Sequence, residues 1–292
     1  MAAAGLTLEL GVHLPLMEFG DEGLSLGRLT RAVDAARECG FAAISANDHF
    51  LFQTPWLDGP TGLAAVVERA GSMDLATTVS LVSLRGPVQL AKTLAALDLL
   101  SEGTVIAGVG PGSSERDYDA VGIPFDERWP RFDAAIVRLR ELLGAGSPLE
   151  PTPAGEIPIW IASWGSEAGL RRVARLGDGW FASAYNTSPD AFAAARESLP
   201  DGLPNALVTM WTWITEDAAD AARVLTEVMA PMLRRDPDVL RDQLCIGSAE
   251  HCAELIARYA AAGCHRVHLW PLGDEPRQIE LAASAVLPRV TT

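Results

Sequence analysis

Asp48 and His49 stand side by side in the run Asn47-Asp48-His49-Phe50, directly after an apolar segment, 42–46, that reads as a β-strand. An imidazole exchanges protons near neutral pH, so a histidine at a strand end suits general acid–base work. Asp48 is placed to orient that ring. Alternatively it caps the next turn while His49 fills a loop.

Two further stretches point to ligand binding. In Gly108-Val109-Gly110-Pro111-Gly112-Ser113, Gly110 and Gly112 would let backbone amides approach a flat ring or a phosphate closely. The run lacks the GxGxxG spacing of a dinucleotide fingerprint, and a tight turn needing glycine explains it equally. In Ser163-Trp164-Gly165-Ser166, Ser166 is a good N-cap for a helix starting at Glu167, and Gly165 leaves the entering amides uncovered. A helix N-terminus of that kind is an anion site, or simply a capped helix. Tryptophans 160, 164, 180, 211, 213 and 270 fall at or near strand ends. Trp180, Trp213 and Trp270, with His13 and Ser113, are expected to wall a substrate pocket, while Trp160 and Trp211 suit the core. No metal site is expected, since His265 and His268 fall on opposite faces of one strand without a carboxylate cluster. Nucleophile-elbow, Walker and HExxH motifs are absent.

The elements that must position these residues alternate along the chain. Strand candidates lie at 8–14, 42–46, 77–83, 105–109, 157–162, 179–184, 207–214 and 266–272. Helical patterns follow at 24–38, 60–70, 87–100, 128–143, 167–175, 189–199, 217–233, 250–262 and 276–287. Repeated βα alternation implies a parallel sheet with right-handed crossovers. Eight strands in 292 residues fit a closed (β/α)8 TIM barrel better than an open doubly wound sheet. The Pro/Gly-rich segment 144–156 reads as a surface loop, because the βα rhythm resumes after it, and residues 1–292 are expected to form one domain. In such a barrel, chemistry belongs at the carboxyl ends of the strands and in the loops that follow, where the runs 47–50, 110–113 and 163–166 fall.

A hydrophobic share of 49% is ample for a large core, and a net charge of −15 opposes nucleic-acid and anionic-membrane surfaces. Basic charge is almost all arginine, Lys92 being the sole lysine. Cys39, Cys245, Cys252 and Cys264 form no CxxC pair and read as reduced, mostly buried thiols. With no signal-peptide pattern and no long apolar run, a cytoplasmic protein is expected.

The runs ARECGFAAISANDHF, GPVQLAKTLAALDLLSEGTVIAGVGPGSSERDYDAVGIPFDERWPRFDAAI, IPIWIASWGSEAGLRRVARLGDGW and IGSAEHCAELIARYAAAGCHRVHL resemble the bacterial luciferase-like monooxygenase family, most of all its actinobacterial branch dependent on the deazaflavin coenzyme F-420. The resemblance spans nearly the whole chain. It implies a luciferase-like barrel with a flavin-type ring at the strand ends and Asp48 and His49 beside it. It also implies a non-proline cis peptide, Thr78–Val79, behind the ring, and phosphate contacts from Pro111, Gly112, Trp164, Gly165 and Ser166, next to Ser163. Two departures count against sugar-phosphate oxidation. Ser113 stands where such relatives carry an acid, and Gln53 stands where they carry a tryptophan, Trp56 lying further on.

The reading that follows is hydride transfer between coenzyme F-420 and a small organic substrate, with His49 as general acid or base. FMN with dioxygen, in a flavin monooxygenase, is the alternative, and a non-catalytic flavoprotein-like binder is a third. By analogy with relatives, a homodimer is expected.

Overall fold

The computed structural model describes residues 8–19 and 22–290. In chain order its elements are β1 (Glu9–His13), α1 (Leu26–Glu38), β2 (Ala43–Ala46), α2 (Gly59–Ala70), β3 (Asp74–Thr77), β4 (Ser80–Leu81), α3 (Val82–Arg85), α4 (Pro87–Leu100), β5 (Val105–Gly110), α5 (Glu115–Ala120), α6 (Arg128–Leu143) and β6 (Ile159–Ala162). There follow α7 (Glu167–Leu176), β7 (Gly179–Ser183), α8 (Pro189–Glu197), β8 (Asn205–Ile214), α9 (Ala218–Arg223), α10 (Ala230–Leu233), α11 (Pro237–Gln243), β9 (Cys245–Gly247), α12 (Ala249–Ala261), β10 (Arg266–Pro271), α13 (Glu275–Leu281) and α14 (Leu287–Val290).

The strands pair in the order β10-β1-β2-β3-β5-β6-β7-β8, and β10 also pairs with β8, so the sheet closes on itself. Every pairing is parallel, as helical crossovers require. This is the expected (β/α)8 barrel. Its strands bury both faces, which is why they read as nearly continuous apolar runs. Leu10, Val12, Ile44 and Leu75 pack outward against the helices. Ala76, Ile106, Phe181, Ala206 and Val208, contributed by strands alone, form a separate cluster along the barrel axis.

The third strand departs from expectation. It starts at Asp74, and a cis peptide at Thr78–Val79 interrupts it after Thr77. The chain then resumes as β4, which pairs with β5. β9 was also not anticipated. Its three residues extend the far end of β8, too short a stretch for any periodicity to register. The helix expected over 217–233 is broken into α9, a π-helical turn at Val224–Met229 and α10, and a second π turn occupies Ala282–Val286. Each π turn is followed within two residues by a proline, Pro231 and Pro288. A proline ring cannot donate to the carbonyl one turn back, and a widened turn accommodates it. Among the described residues no helix is long and apolar enough to cross a membrane.

Candidate active site

A cavity of about 490 Å³ opens at the carboxyl ends of β2 to β8, a size typical of ligand pockets. Asn47, Asp48 and His49 come from the β2 end, Thr78, Val79 and Leu81 from around β4, and Gly110 to Ser113 from the β5 end. Phe125, Arg128 and Trp129 lead into α6. Ala162, Ser163, Trp164, Ser166, Gly169 and Arg172 belong to β6 and α7, and Phe181, Ser183, Tyr185, Val208 and Thr209 to β7 and β8.

On the β2 wall, His49 Nδ1 lies 2.9 Å from Asp117 Oδ2. Asp117 sits on α5, whose N-cap is Ser114, and its other oxygen accepts the backbone N–H of Leu51 at 2.7 Å and of Phe50 at 3.2 Å. Burial pushes this carboxyl up. The hydrogen bonds from His49 and from the two amides outweigh it and hold the group below the usual carboxylate range. An anionic Asp117 requires a proton on Nδ1, which leaves Nε2 as the nitrogen available to the cavity. Phe52 and Trp56 pack on the same ring, each with centroids 4.8 Å away. Trp56 thus reaches His49 by folding although its place in sequence is shifted.

The expected pairing of His49 with Asp48 is corrected. Asp48 is buried and accepts two bonds of 2.6 Å from Arg85, Nε to Oδ2 and Nη2 to Oδ1, and a third from the Leu81 amide. Neighbouring side chains on an extended backbone diverge, so Asp48 braces β4 and α3 while His49 turns to α5. Asp48 borders the cavity, but its oxygens are taken up by protein partners.

The floor is laid by the cis bond and the glycines. A Cβ on Gly110 would come within 2.6 Å of Val79 Cγ2, so only glycine allows β5 to pass behind Val79. The Thr78 hydroxyl is buried without a protein partner and borders the cavity, an orphan that a bound ligand can satisfy. At the β6 end, Gly165 has φ +88° and donates its N–H to Ser163 Oγ at 3.2 Å, and Ser166 caps α7. Beside that N-terminus stand Arg172, ion-paired with Asp133, and Arg128, for which no carboxylate lies within ion-pair distance among the described residues. Arg128 lies 4.0 Å above the Phe125 ring, and Arg172 lies 4.6 Å above Trp129. A helix N-terminus with two guanidiniums beside it is an arrangement that suits an anion of phosphate type.

Of the residues expected to wall the pocket, Ser113 lies on the cavity, but four do not. Trp180 is 1% exposed, stacks on Phe192 of α8 at 4.8 Å and donates to the Ser163 carbonyl. The two-residue period of β7 points Phe181 and Ser183 inward and Trp180 outward. Trp270 stacks between Trp211 at 3.7 Å and His13 at 3.5 Å, and this buried column fills the β8–β10–β1 side of the barrel. Trp213 turns to α9, where its Nε1 donates to Asp220 at 2.6 Å. The cavity is displaced to the other side for that reason. Trp211 is core as expected, while Trp160 packs on Phe181 beside the axial cluster.

Sequence reasoning missed Asp117, Arg128, Trp129, Arg172 and Thr209. The Ser114-x-x-Asp117 spacing marks a helix start and was a usable signal for α5. The two arginines carry no local signature, because which face of α6 and α7 meets the cavity is set by packing.

The comparisons with known proteins bear on the fold and the family. The chain is 27% identical over 178 residues to an F-420-dependent glucose-6-phosphate dehydrogenase of Gordonia bronchialis, covering 51% of each chain, so it spans about half the length of that relative. A solved F-420-dependent secondary alcohol dehydrogenase, in complex with an F-420–acetone adduct, superposes with TM-score 0.80 at 17% identity, over 97% of this chain and 99% of that one. The monooxygenase RslO1 of Streptomyces bottropensis does so with TM-score 0.81 at 20% identity, over 96% and 99%. These structural likenesses establish the fold. The profile of the luciferase-like monooxygenases matches residues 10–223, and the chain therefore belongs to that family of oxidoreductases.

Proposed function

We propose that this oxidoreductase transfers a hydride between coenzyme F-420 and a small organic substrate, with His49 moving the accompanying proton. The observation that carries the reading is that one cavity joins two walls: a histidine polarised by a buried carboxylate, and an anion site at the start of α7. The lining of the pocket supports the coenzyme. Thr78 offers an unfilled hydroxyl, Gly110 packs closely against Val79, and Ser166, Arg128 and Arg172 supply groups that suit a phosphate.

When bound, F-420 supplies the carbon that exchanges hydride. The protein's own part is orientation and electrostatics. Asp117 holds the His49 proton at Nδ1, so Nε2 takes the proton of an alcohol being oxidised, or returns one to a carbonyl being reduced. The naming of curated relatives for F-420 supports the deazaflavin over FMN. Exposed Ser113, in the position of an acidic residue, supports a substrate other than a sugar phosphate.

Titration of the cofactor-free protein with F-420 and with FMN, followed by tryptophan fluorescence, tests the reading, since Trp129 and Trp164 stand at the cavity mouth. Micromolar quenching by F-420 is expected. Micromolar binding of FMN alone would overturn it in favour of a flavin monooxygenase. Unchanged turnover in His49→Ala would remove the histidine from the mechanism and favour a non-catalytic binder.

A further inference from the structure

The β7–β8 wall carries polar groups that proton transfer at His49 does not use. Arg235 Nη2 donates to Asn186 Oδ1 at 2.7 Å, and Asn186 Nδ2 donates to Ser183 Oγ at 3.0 Å. Ser183 Oγ lies 3.0 Å from Thr209 Oγ1, which is 2.6 Å from the Val208 carbonyl. The direction of this chain is pinned at both ends. A guanidinium cannot accept, so Asn186 turns its carbonyl to Arg235 and its NH₂ to Ser183. A carbonyl cannot donate, so the single Thr209 proton goes to Val208. The proton between the two hydroxyls therefore belongs to Ser183. The Tyr185 phenol, pushed up by burial against the pull of Asn186 and Ser183, stays protonated and adjoins those two residues. Thr209 Oγ1 accepts one bond, gives one, and keeps one lone pair.

The backbone brings Thr209 to the cavity wall. Thr209 is β-branched yet has φ +58°, a region such residues rarely enter. Between Leu207 and Met210, β8 has two residues where β10, between Val267 and Leu269, has one, which is a β-bulge. Consecutive residues Val208 and Thr209 accordingly both border the cavity instead of alternating. A backbone outlier held at a pocket wall is a pointer to function.

We infer that Thr209 is a specificity-determining residue that accepts a hydrogen bond from an O–H or N–H group of the substrate. Resting on the reading above, this narrows the substrate class. In oxidation the carbinol carbon loses hydride to oxidised F-420, its oxygen loses its proton to His49 Nε2, and a C=O bond forms. In reduction the carbonyl oxygen has no proton to offer. In either direction the donor at Thr209 is a second group, separate from the reacting oxygen, and the substrate is a diol, hydroxyketone or amino alcohol.

The test compares 1,2- and 1,3-cyclohexanediol with their monomethyl ethers, by calorimetric binding to cofactor-free and F-420-loaded protein and by kcat/KM. One neutral hydrogen bond predicts that the better diol is favoured by about five- to tenfold. That preference should fall to within about twofold in Thr209→Val and persist in Thr209→Ser. Absence of a wild-type preference, its survival in Thr209→Val, or no binding of any probe overturns the inference. So does weakened F-420 binding in Thr209→Val with the diol preference kept, which would place the donor on the coenzyme. If F-420 fails to bind the wild type while the preference holds, the proposed coenzyme falls and Thr209 stands.

Discussion

Replacing Asp117 with asparagine should reverse the tautomer of His49 while leaving the fold in place. Asp117 Oδ1 accepts the Leu51 and Phe50 amides, and an asparagine carbonyl can keep both bonds. The new NH₂ would then face His49 Nδ1, where Oδ2 now lies at 2.9 Å. Two donors cannot meet there, so Nδ1 gives up its proton and Nε2 gains it. The nitrogen facing the cavity becomes a donor that cannot take a proton. A positioned general base contributes about 10²- to 10⁴-fold, so kcat for alcohol oxidation should fall by that range, or about 3–5 kcal/mol in barrier height. Steady-state kinetics with F-420 and the better cyclohexanediol measure the loss, and tryptophan quenching checks that coenzyme affinity is kept. Long-range ¹H–¹⁵N spectra read the tautomer without any substrate: Nδ1–H in the wild type, Nε2–H in the variant. Because the two residues act as a unit, Asp117→Asn should cost almost nothing further in a His49→Ala background. A variant retaining kcat within about threefold, well below the range for a general base, would refute the reasoning. A wild-type spectrum with Nε2 protonated and Nδ1 bare would refute it too.

Three other outcomes follow from the geometry. Arg172→Met should weaken F-420 binding by about 10- to 100-fold, the worth of a charge-assisted bond to phosphate, with little change in thermal midpoint. Arg85→Met strands the buried Asp48 carboxylate and should cost about 3 kcal/mol or more in urea unfolding, whereas Arg85→Lys keeps one of its bonds and should cost less. Burial lowers the His13 imidazole to about 3 from its ordinary 6.5, against smaller opposing pulls from the Leu14 carbonyl and Asn47. A depressed folded value means that the stabilisation is complete above 6.5 and is lost as pH falls toward 3. Between pH 6.5 and 5 the loss is about 2 kcal/mol at 1.36 kcal/mol per unit, and His13→Leu should make that part of the unfolding profile less steep, the share of His268, which burial also pushes well down, remaining. An unchanged slope in His13→Leu would show that the imidazole is solvated.

The barrel and the general place of its site were open to inspection in the chain. Strand and helix periods depend on neighbours two to four residues apart, so β1, β2, β5 to β8 and β10, together with the cap Ser166, follow from local pattern. Eight parallel βα repeats then favour closure over an open sheet and put the working residues at the carboxyl ends. His49, Gly110, Pro111, Gly112, Ser163, Trp164 and Ser166 were reachable in this way. Partnership was decided only by the tertiary structure. Asp48 follows Asn47 in the chain, yet its carboxyl belongs to Arg85, and the carboxylate on His49 comes from 68 residues away. Packing also sent Trp180 outward, stacked Trp270 on His13 and Trp211, and brought Arg128 and Arg172 to one rim. Local spacing constrains which face a side chain takes, whereas a hydrogen bond or a stack depends on the closing of the ring, to which all eight strands contribute at once.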